Sequence, residues 1–232
     1  MTPRYEYKIP CELAECPQLE AWVRLQAAQW RVSYPSRQVN NVYFDSPDLH
    51  DLNANLSGVG RREKLRLRWY GPDLTRISGA QLELKCKSGV AGWKEIVFFA
   101  GALELTESSW PTLLDELRAG LEPRAKLWLD SRGAPALINS YRRAYYESPD
   151  GVLRVTLDTQ LRAYDQRFSM APNLHRLSLQ QEQMVLELKG PVDDDTARRL
   201  SQVLMTLPAR VDRFSKYLRG MLTSTDLEGV LG

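Results

Sequence analysis

The sequence predicts an α+β protein: an antiparallel β-barrel with a basic interior and helices packed outside. Four segments alternate charged and apolar residues, which gives a strand one charged and one apolar face. They are residues 64–68, 83–87, 154–158 and 187–189. If helices cover the apolar faces, the charged faces can line a common space in a closed barrel with few sheet edges. Because no internal repeat or low-complexity linker interrupts the 232 residues, we expect a single domain over residues 1–232.

Turn residues and hydrophobic spacing predict the elements of the first half. Residues 13–31 have apolar positions at helical spacing, and Pro35 marks a turn after that helix. The run Asp45-Ser46-Pro47-Asp48 has turn chemistry and caps a short helix. The predicted strands are residues 4–9, 37–45, 63–70, 80–87 and 93–100, and the predicted helices are residues 13–31 and 49–56.

The second half begins with a change of periodicity. Leucines on one face predict one or two helices within residues 103–129, interrupted at Gly120 and Pro123. The turn at residues 148–151 predicts a hairpin between strands at 136–147 and 152–162. Residues 183–189 predict a further strand. Three aspartates at 193–195 favour the start of a helix that runs to about residue 205, and residues 214–222 predict the last helix.

Composition excludes several classes of function. The net charge of +2 gives no global basic field, so we expect no nucleic-acid partner. The sequence has no long apolar run and no signal-peptide pattern, which indicates no membrane span in this chain and a cytoplasmic location. The 3 cysteines lack a CxxC spacing, and the 2 histidines are isolated, so a disulfide framework, a zinc site and a Ser-His triad are not expected.

The charged faces leave two interpretations open. An open sheet would expose these faces to solvent, with cross-strand Glu–Lys pairs worth fractions of a kcal/mol. Arginine and lysine outnumber the acidic residues, however, and clustered like charges are destabilising unless an anion binds. The pattern therefore favours a polyanion cavity. The charged residues on these faces are Arg4, Glu6, Lys8, Lys64, Arg66, Arg68, Glu83, Lys85, Lys87, Lys94, Arg143, Arg154, Asp158, Glu187 and Lys189.

Phosphate suits these residues, although the sequence has no glycine-rich phosphate loop. Arginine makes paired hydrogen bonds to phosphate oxygens. The carboxylates of Glu6, Glu83 and Glu187 are oxygen ligands of the kind that Mg²⁺ and Mn²⁺ prefer. The alternative for each carboxylate is an ion pair with a neighbouring lysine. The residues alone leave both a Mn²⁺ or Mg²⁺ site and these ion pairs open.

Six ordered motifs carry a resemblance to a known family. They are Val42-Tyr43-Phe44-Asp45-Ser46, Leu67-Arg68-Trp69-Tyr70-Gly71, Glu83-Leu84-Lys85, Arg154-Val155-Thr156-Leu157-Asp158-Thr159, Leu186-Glu187-Leu188-Lys189 and Phe214-Ser215-Lys216-Tyr217. Their succession resembles the catalytic domain of the vacuolar transporter chaperone family. That family comprises the polyphosphate polymerases, which belong to the triphosphate tunnel metalloenzymes. The resemblance runs from about residue 4 to residue 220.

The resemblance implies a tunnel of antiparallel strands. It also implies transfer of the ATP γ-phosphate to a growing inorganic polyphosphate chain with a divalent metal, usually Mn²⁺. ATP and inorganic polyphosphate are therefore the expected partners. The catalytic residues would be Arg66, Arg68, Lys85, Arg143, Arg154 and Glu187. The phosphate-binding residues would be Lys8, Arg66, Arg68, Lys85, Lys94, Arg143, Arg154, Lys189, Arg213 and Lys216, with Lys189 placed by strand parity. The metal ligand would be Glu187, accompanied by Glu83 and Glu6 from the pattern.

The chain departs from the family pattern at three points. Relatives that hydrolyse triphosphates or cyclise ATP begin Glu-x-Glu-x-Lys, whereas this chain has Arg4-x-Glu6-x-Lys8, which favours the polymerase branch. Arg213 stands where the family usually has lysine. The extra regulatory domain and membrane helices of eukaryotic members are absent from the sequence, so any membrane partner is expected to be separately encoded.

Two other functions stay open. The first is a triphosphatase that uses the same tunnel with water as the acceptor. The second is a non-catalytic module that binds polyphosphate or RNA. The low net charge and the scarcity of surface aromatic residues among the basic ones argue against RNA.

Overall fold

The computed structural model describes residues 4–25, 30–88, 91–176, 179–181, 183–212 and 214–224. The strands within these residues are β1 (Arg4–Glu12), β2 (Arg31–Asp45), β3 (Arg61–Tyr70), β4 (Arg76–Ser88), β5 (Ala91–Glu104), β6 (Ala134–Glu147), β7 (Arg154–Asp165), β8 (Leu179–Gln181) and β9 (Gln183–Pro191). The helices are α1 (Cys16–Leu25), α2 (His50–Leu56), α3 (Trp110–Ala119), α4 (Pro123–Ser131), α5 (Asp194–Met205) and α6 (Lys216–Ser224).

All nine described strands belong to one sheet. Its strand order is β1-β9-β7-β6-β2-β3-β4-β5, and β8 pairs with β7. The pairings whose register is described are antiparallel. The predicted α+β class with an antiparallel sheet is therefore confirmed. Within the described residues the strand order ends at β1 and β5, so the sheet is not closed into the predicted barrel.

The internal contacts of the chain divide it into two compact units. Unit 1 contains Met1–Arg37, Tyr141–Leu161 and Gln181–Phe214. Unit 2 contains Gln38–Ser140, Arg162–Gln180 and Ser215–Gly232. Each unit is assembled from three separate segments, and the single domain predicted over residues 1–232 stays a prediction.

The apolar face of the unit 2 strands is covered by two helices. Leu65 of β3 and Leu82 of β4 are buried in one cluster with Leu113 and Leu117 of α3 and Leu129 of α4. Each fully buried leucine side chain contributes ~1.5–3 kcal/mol relative to an exposed one. This packing leaves the opposite face of β3 and β4 for the charged residues, as their alternation predicts.

Unit 1 is built in the same way. Ile9 of β1 and Leu186 of β9 are buried in one cluster with Leu19 and Val23 of α1 and Leu200 of α5. The side chains of β1 and β9 that alternate with these positions form the charged face of the unit.

Capping groups confirm two predicted boundaries. Asp193 is the N-cap of α5, and its carboxylate accepts a hydrogen bond from the backbone N–H of Thr196 at 2.7 Å. In the turn before β7, the backbone N–H of Gly151 donates to the carbonyl of Ser148 at 2.8 Å. Gly151 has a φ of +71°, which glycine adopts without strain.

The predicted helix at residues 13–31 is too long, and the turn predicted at Pro35 is wrong. The described part of α1 runs from Cys16 to Leu25, residues 26–29 lie outside the described residues, and Arg31 already begins β2, which passes through Pro35. β3 pairs with Val39–Phe44 only, so Pro35 lies outside that ladder. A proline there removes no hydrogen bond of the ladder to β3.

Two other boundaries were misplaced. Leu103, the predicted start of a helical region, belongs to β5, lies opposite Ile77 and is buried in the core. The helix begins instead after Ser109, whose side chain accepts from the backbone N–H of Thr112. The strand predicted to start at residue 80 begins earlier, at Arg76, and Gly79, with a φ of +56°, lies at an irregularity inside β4.

None of the helices in the described residues has the length and hydrophobicity needed to cross a membrane.

Candidate functional site

A row of lysines crosses the charged face of unit 2. Directly opposed residues of antiparallel strands point to the same face. Lys64 lies opposite Lys85, and Lys85 lies opposite Lys94, on β3, β4 and β5. Like charges in direct opposition destabilise a sheet. A bound anion would remove this repulsion, so the row suits an anionic ligand.

A single buried carboxylate, that of Glu83, lies among the neighbouring cations. Arg66 donates to Oε2 of Glu83 from Nε at 2.8 Å and from Nη2 at 2.5 Å. Lys94 Nζ lies 3.3 Å and Arg68 Nη1 lies 3.9 Å from Oε1 of Glu83. Burial would raise the pKa of Glu83, but the three cations outweigh burial and hold that pKa well below its usual value. Glu83 is therefore ionised at neutral pH and offsets only part of the positive charge around it.

Neutral side chains from β2 and β6 fix the two arginines. Arg66 Nη1 donates to the hydroxyl of Tyr43 at 3.2 Å. Arg68 Nε donates to the side-chain oxygen of Asn41 at 2.9 Å, and Asn41 in turn donates to Asn139 at 2.8 Å. Tyr43, Asn41 and Asn139 are not among the predicted site residues. The two β2 residues share the parity of the charged face, but they carry no charge that would single them out.

Lys216 begins α6, between two residues that contact the sheet of unit 2. On one side, Ser215 accepts a hydrogen bond from Lys64 Nζ at 2.8 Å. On the other side, the ring of Tyr217 stacks on Tyr43 with 5.1 Å between ring centroids. The C-terminal motif is thus held against the strands that carry Lys64 and Arg66.

Asp45 provides the polar part of this anchor. Tyr217 donates from its hydroxyl to Oδ2 of Asp45 at 2.6 Å, and both residues are buried. Asp45 also accepts from the backbone N–H groups of Asp51 and Leu52 at 2.9 Å each, at the start of α2. The predicted capping role of the Asp45 turn is therefore confirmed. Burial is the main cause that raises the pKa of Tyr217, and the charge of Asp45 is the second. The Tyr217 hydroxyl therefore stays protonated and acts as the donor in this hydrogen bond.

Arg143 is a largely enclosed cation of unit 1. It makes a bidentate pair with Asp158, from Nε at 2.5 Å and from Nη2 at 2.6 Å, and Nη2 lies 3.5 Å from Oε2 of Glu187. Its guanidinium also lies over the ring of Tyr141, 5.3 Å from the centroid. Burial disfavours the charge, but Asp158 outweighs that effect and raises the pKa of Arg143. Asp158 was placed on this face but was not predicted as a site residue.

Lys189 links the two predicted metal carboxylates of unit 1. Its Nζ donates to Oε2 of Glu187 at 2.6 Å and lies 3.7 Å from Oε1 of Glu6. Lys8 Nζ lies 3.6 Å from the same Glu6 oxygen and donates to the Phe214 carbonyl at 3.1 Å. Arg154 lies opposite Lys189 in the strand register, on an exposed position.

The predicted residues thus fall into one set in each unit. Unit 2 contains Arg66, Arg68, Lys85, Lys94, Lys216 and Glu83, and unit 1 contains Lys8, Arg143, Arg154, Lys189, Glu6 and Glu187. Cations dominate the unit 2 set, whereas the unit 1 set, with Asp158, has nearly as many carboxylates as cations. Arg213 lies outside the described residues. Within the described ranges, no group of three or more His, Cys, Asp or Glu residues is arranged to hold a metal ion.

Among the solved structures that resemble this chain, two align over most of its length. One is a Hippeastrum protein assigned as an adenylyl cyclase and described as having a dominant triphosphatase activity. The identity is 16%, the coverage 94% of this chain and 95% of that chain, and the TM-score 0.43. The other is the Schizosaccharomyces pombe Mediator head module, with 10% identity, coverage of 90% and 96%, and a TM-score of 0.47. Neither likeness is close enough to carry an argument about function.

Comparison with curated protein sequences gave no match. Comparison with protein families gave a match to the VTC domain over residues 4–225. This range includes both sets of predicted site residues and all six motifs of the resemblance. The chain therefore belongs to the VTC domain family.

Proposed function

We propose that the protein is a metal-dependent phosphotransferase that moves the γ-phosphate of ATP to a growing inorganic polyphosphate chain. The observation that carries this proposal is the excess of cations on the charged face of unit 2. Lys64, Lys85 and Lys94 form a row beside Arg66 and Arg68, and the buried carboxylate near them is shared by three cations. Membership of the VTC domain family supports the same substrate class.

Phosphoryl transfer to a phosphate acceptor makes small demands on acid–base chemistry, because the nucleophile is already ionised. The main obstacle is repulsion between two polyanions, so catalysis consists of positioning and charge neutralisation. Arg66 is suited to this task because Glu83 and Tyr43 fix its guanidinium before any substrate binds. A preorganised cation loses less conformational entropy on binding.

Arg143 and Arg154 have different settings in unit 1. Arg143 is held by hydrogen bonds to Asp158 and also contacts Glu187. A guanidinium fixed in this way suits a contact with a single phosphate group. Arg154 is exposed and suits contact with a ligand that arrives from solvent. We assign both to phosphate binding, together with Lys8 and Lys189.

The metal is assigned to Glu187, with Glu6 as a second carboxylate. Both are oxygen donors of the type that Mg²⁺ and Mn²⁺ prefer, and both contact Lys189, whose one positive charge offsets only one of the two carboxylates. Glu83 fits a metal less well, because its side chain is 1% exposed and its oxygens are already contacted by Arg66, Arg68 and Lys94. A bound metal would supply Lewis-acid stabilisation of the transferring phosphate.

The test is incubation of the purified protein with γ-phosphate-labelled ATP and Mn²⁺, followed by gel separation of the products. We expect a nuclease-resistant ladder of labelled chains that disappears when the metal is chelated. Labelled orthophosphate alone would replace the proposal by a triphosphatase that uses water as acceptor. Unchanged ATP alongside bound polyphosphate would replace it by a non-catalytic binding module.

A further inference from the structure

Four cations occupy adjoining positions on the β3–β4 hairpin of unit 2. Arg62 lies opposite Lys87, and Lys64 lies opposite Lys85, so all four side chains belong to the same face of the sheet. We call these four residues the hairpin patch. Arg62 and Lys87 lie two residues further along their strands than Lys64 and Lys85, on the side away from Arg66 and Glu83. Arg62 and Lys87 are assigned no role by the resemblance or by the function proposed above.

The outer pair of the hairpin patch, Arg62 and Lys87, lacks a counter-charge among the described residues. Within the part of the chain that the structure describes, neither side chain makes a hydrogen bond or an ion pair. Each faces the other cation directly across the two strands, an arrangement that destabilises a sheet. The sequence has no neutral or acidic residue at either position to relieve that repulsion. An anion bound across both cations would relieve it.

We propose that Arg62 and Lys87 form a subsite for inorganic polyphosphate beyond the residues that hold the triphosphate. This inference rests on the proposed function and deepens it. Lys87 is four residues from Glu83 along β4, a distance of ~13 Å at the usual rise of a strand. A triphosphate anchored at Arg66 is too short to cover that distance, whereas a longer phosphate chain laid along the two strands reaches it.

The pattern of the face favours polyphosphate over nucleic acid. Across the described strands, the row that contains Arg62 and Lys87 continues to Gly92, and the row that contains Lys64 and Lys85 continues to Lys94. In the described parts of β3, β4 and β5, no aromatic side chain lies between these cations on this face. Proteins that bind single-stranded nucleic acid stack bases on aromatic residues. Polyphosphate has no bases, so it needs only positively charged side chains. The hairpin patch matches the second ligand.

The experiment compares binding of long-chain polyphosphate and of tripolyphosphate by calorimetry, in low and in moderate salt. The test protein is the full chain carrying Arg62→Gln and Lys87→Gln. The matched control carries Arg61→Gln and Arg76→Gln, which remove the same charge from exposed positions of β3 and β4. Arg61 points to the opposite face from Arg62, and Arg76 is paired with Glu104.

We expect the test protein to bind long-chain polyphosphate about tenfold more weakly in low salt, with a logarithmic salt slope shallower by ~1–2. Tripolyphosphate affinity should change by less than about twofold, because the triphosphate residues are intact. The control protein should match wild type for both ligands. Since the substitutions remove like-charge repulsion, thermal unfolding of the test protein should occur at or above the wild-type temperature.

Three results would overturn the subsite. They are equal weakening of both polyphosphates, the same loss in the control protein, and failure of wild type to prefer the longer chain. A single-stranded oligonucleotide that binds with the same dependence on Arg62 and Lys87 would also overturn it, in favour of a nucleic-acid surface. Because calorimetry needs no turnover, chain-length-selective binding without labelled product would sustain the subsite and reject only the transfer reaction.

Discussion

Replacing Glu83 by glutamine should leave the positive charge of unit 2 without its buried counter-charge and should destabilise the protein. The glutamine keeps the shape of the side chain but removes the charge that Arg66, Arg68 and Lys94 share. Glu83 itself is 0% exposed, so water cannot compensate the arginines after the change.

The magnitude follows from the exposure of each partner. Removing one member of a buried ion pair costs ~3–5 kcal/mol. The Lys94 side chain is 44% exposed and its pair is screened by solvent, so Lys94 adds little. Arg66 and Arg68 are 16% and 8% exposed and carry most of the effect. Because Arg66 keeps its bond to Tyr43, we expect the lower part of the range, ~3 kcal/mol of unfolding free energy.

Urea unfolding followed by circular dichroism measures this loss. Glu95→Gln is the matched control, since its ion pair with the exposed Arg124 predicts a change of ~1 kcal/mol or less. Added tripolyphosphate should stabilise the Glu83 variant more than wild type, because the anion replaces the missing charge. If Glu83→Gln unfolds like wild type, or if the anion stabilises both proteins equally, Glu83 is not the balancing charge of the cation cluster.

The same carboxylate gives the protein a defined response to acid. The pKa of Glu83 in the folded protein lies below the value of ~4.3 expected in the unfolded chain. Its stabilisation is therefore complete above about pH 4.3 and is lost as the pH falls further towards the folded pKa. The difference in stability between wild type and Glu83→Gln should shrink over that acidic interval and stay constant at neutral pH.

Two further predictions concern Glu187 and Tyr217. Glu187→Gln should abolish metal-dependent turnover in the labelled-ATP assay, while calorimetry still detects polyphosphate binding. The control Glu147→Gln should retain both turnover and binding. Turnover by the Glu187 variant would contradict the metal assignment. Tyr217→Phe removes a 2.6 Å hydrogen bond to a buried carboxylate and should lower the unfolding free energy by ~2 kcal/mol in urea. An unchanged urea midpoint would mean that Asp45 does not depend on this donor.

Strand alternation made the charged faces predictable from the sequence. The period of two assigns Lys64, Arg66 and Arg68 to one face without any knowledge of their neighbours, and the register confirms that face. Alternation cannot say which strands adjoin. The row of Lys64, Lys85 and Lys94 and the approach of Lys189 to Glu187 and Glu6 therefore emerge only from the fold.

Neutral supporting residues were harder to predict than charged ones. Asn41 and Tyr43 lie in a segment that the sequence predicted as a strand. Their role depends on the hydrogen bonds that they accept from Arg68 and Arg66 of the neighbouring strand. Asp158 illustrates the same limit for a charged residue, since it was placed near Arg154 by parity but bonds to Arg143 of β6. Its partner is set by tertiary pairing, which local sequence does not encode.

The anchor between Asp45 and Tyr217 has a consequence for the order of synthesis. The two residues are 172 positions apart, so the carboxylate emerges from the ribosome long before its hydroxyl donor exists. Until then, burying Asp45 would leave a charge without one of its partners, at a cost of ~1–3 kcal/mol. Unit 2 is also interrupted twice by segments of unit 1. Unit 2 therefore cannot fold completely until its last segment, which begins at Ser215, has been synthesised. We expect the protein to reach its native packing only late in translation.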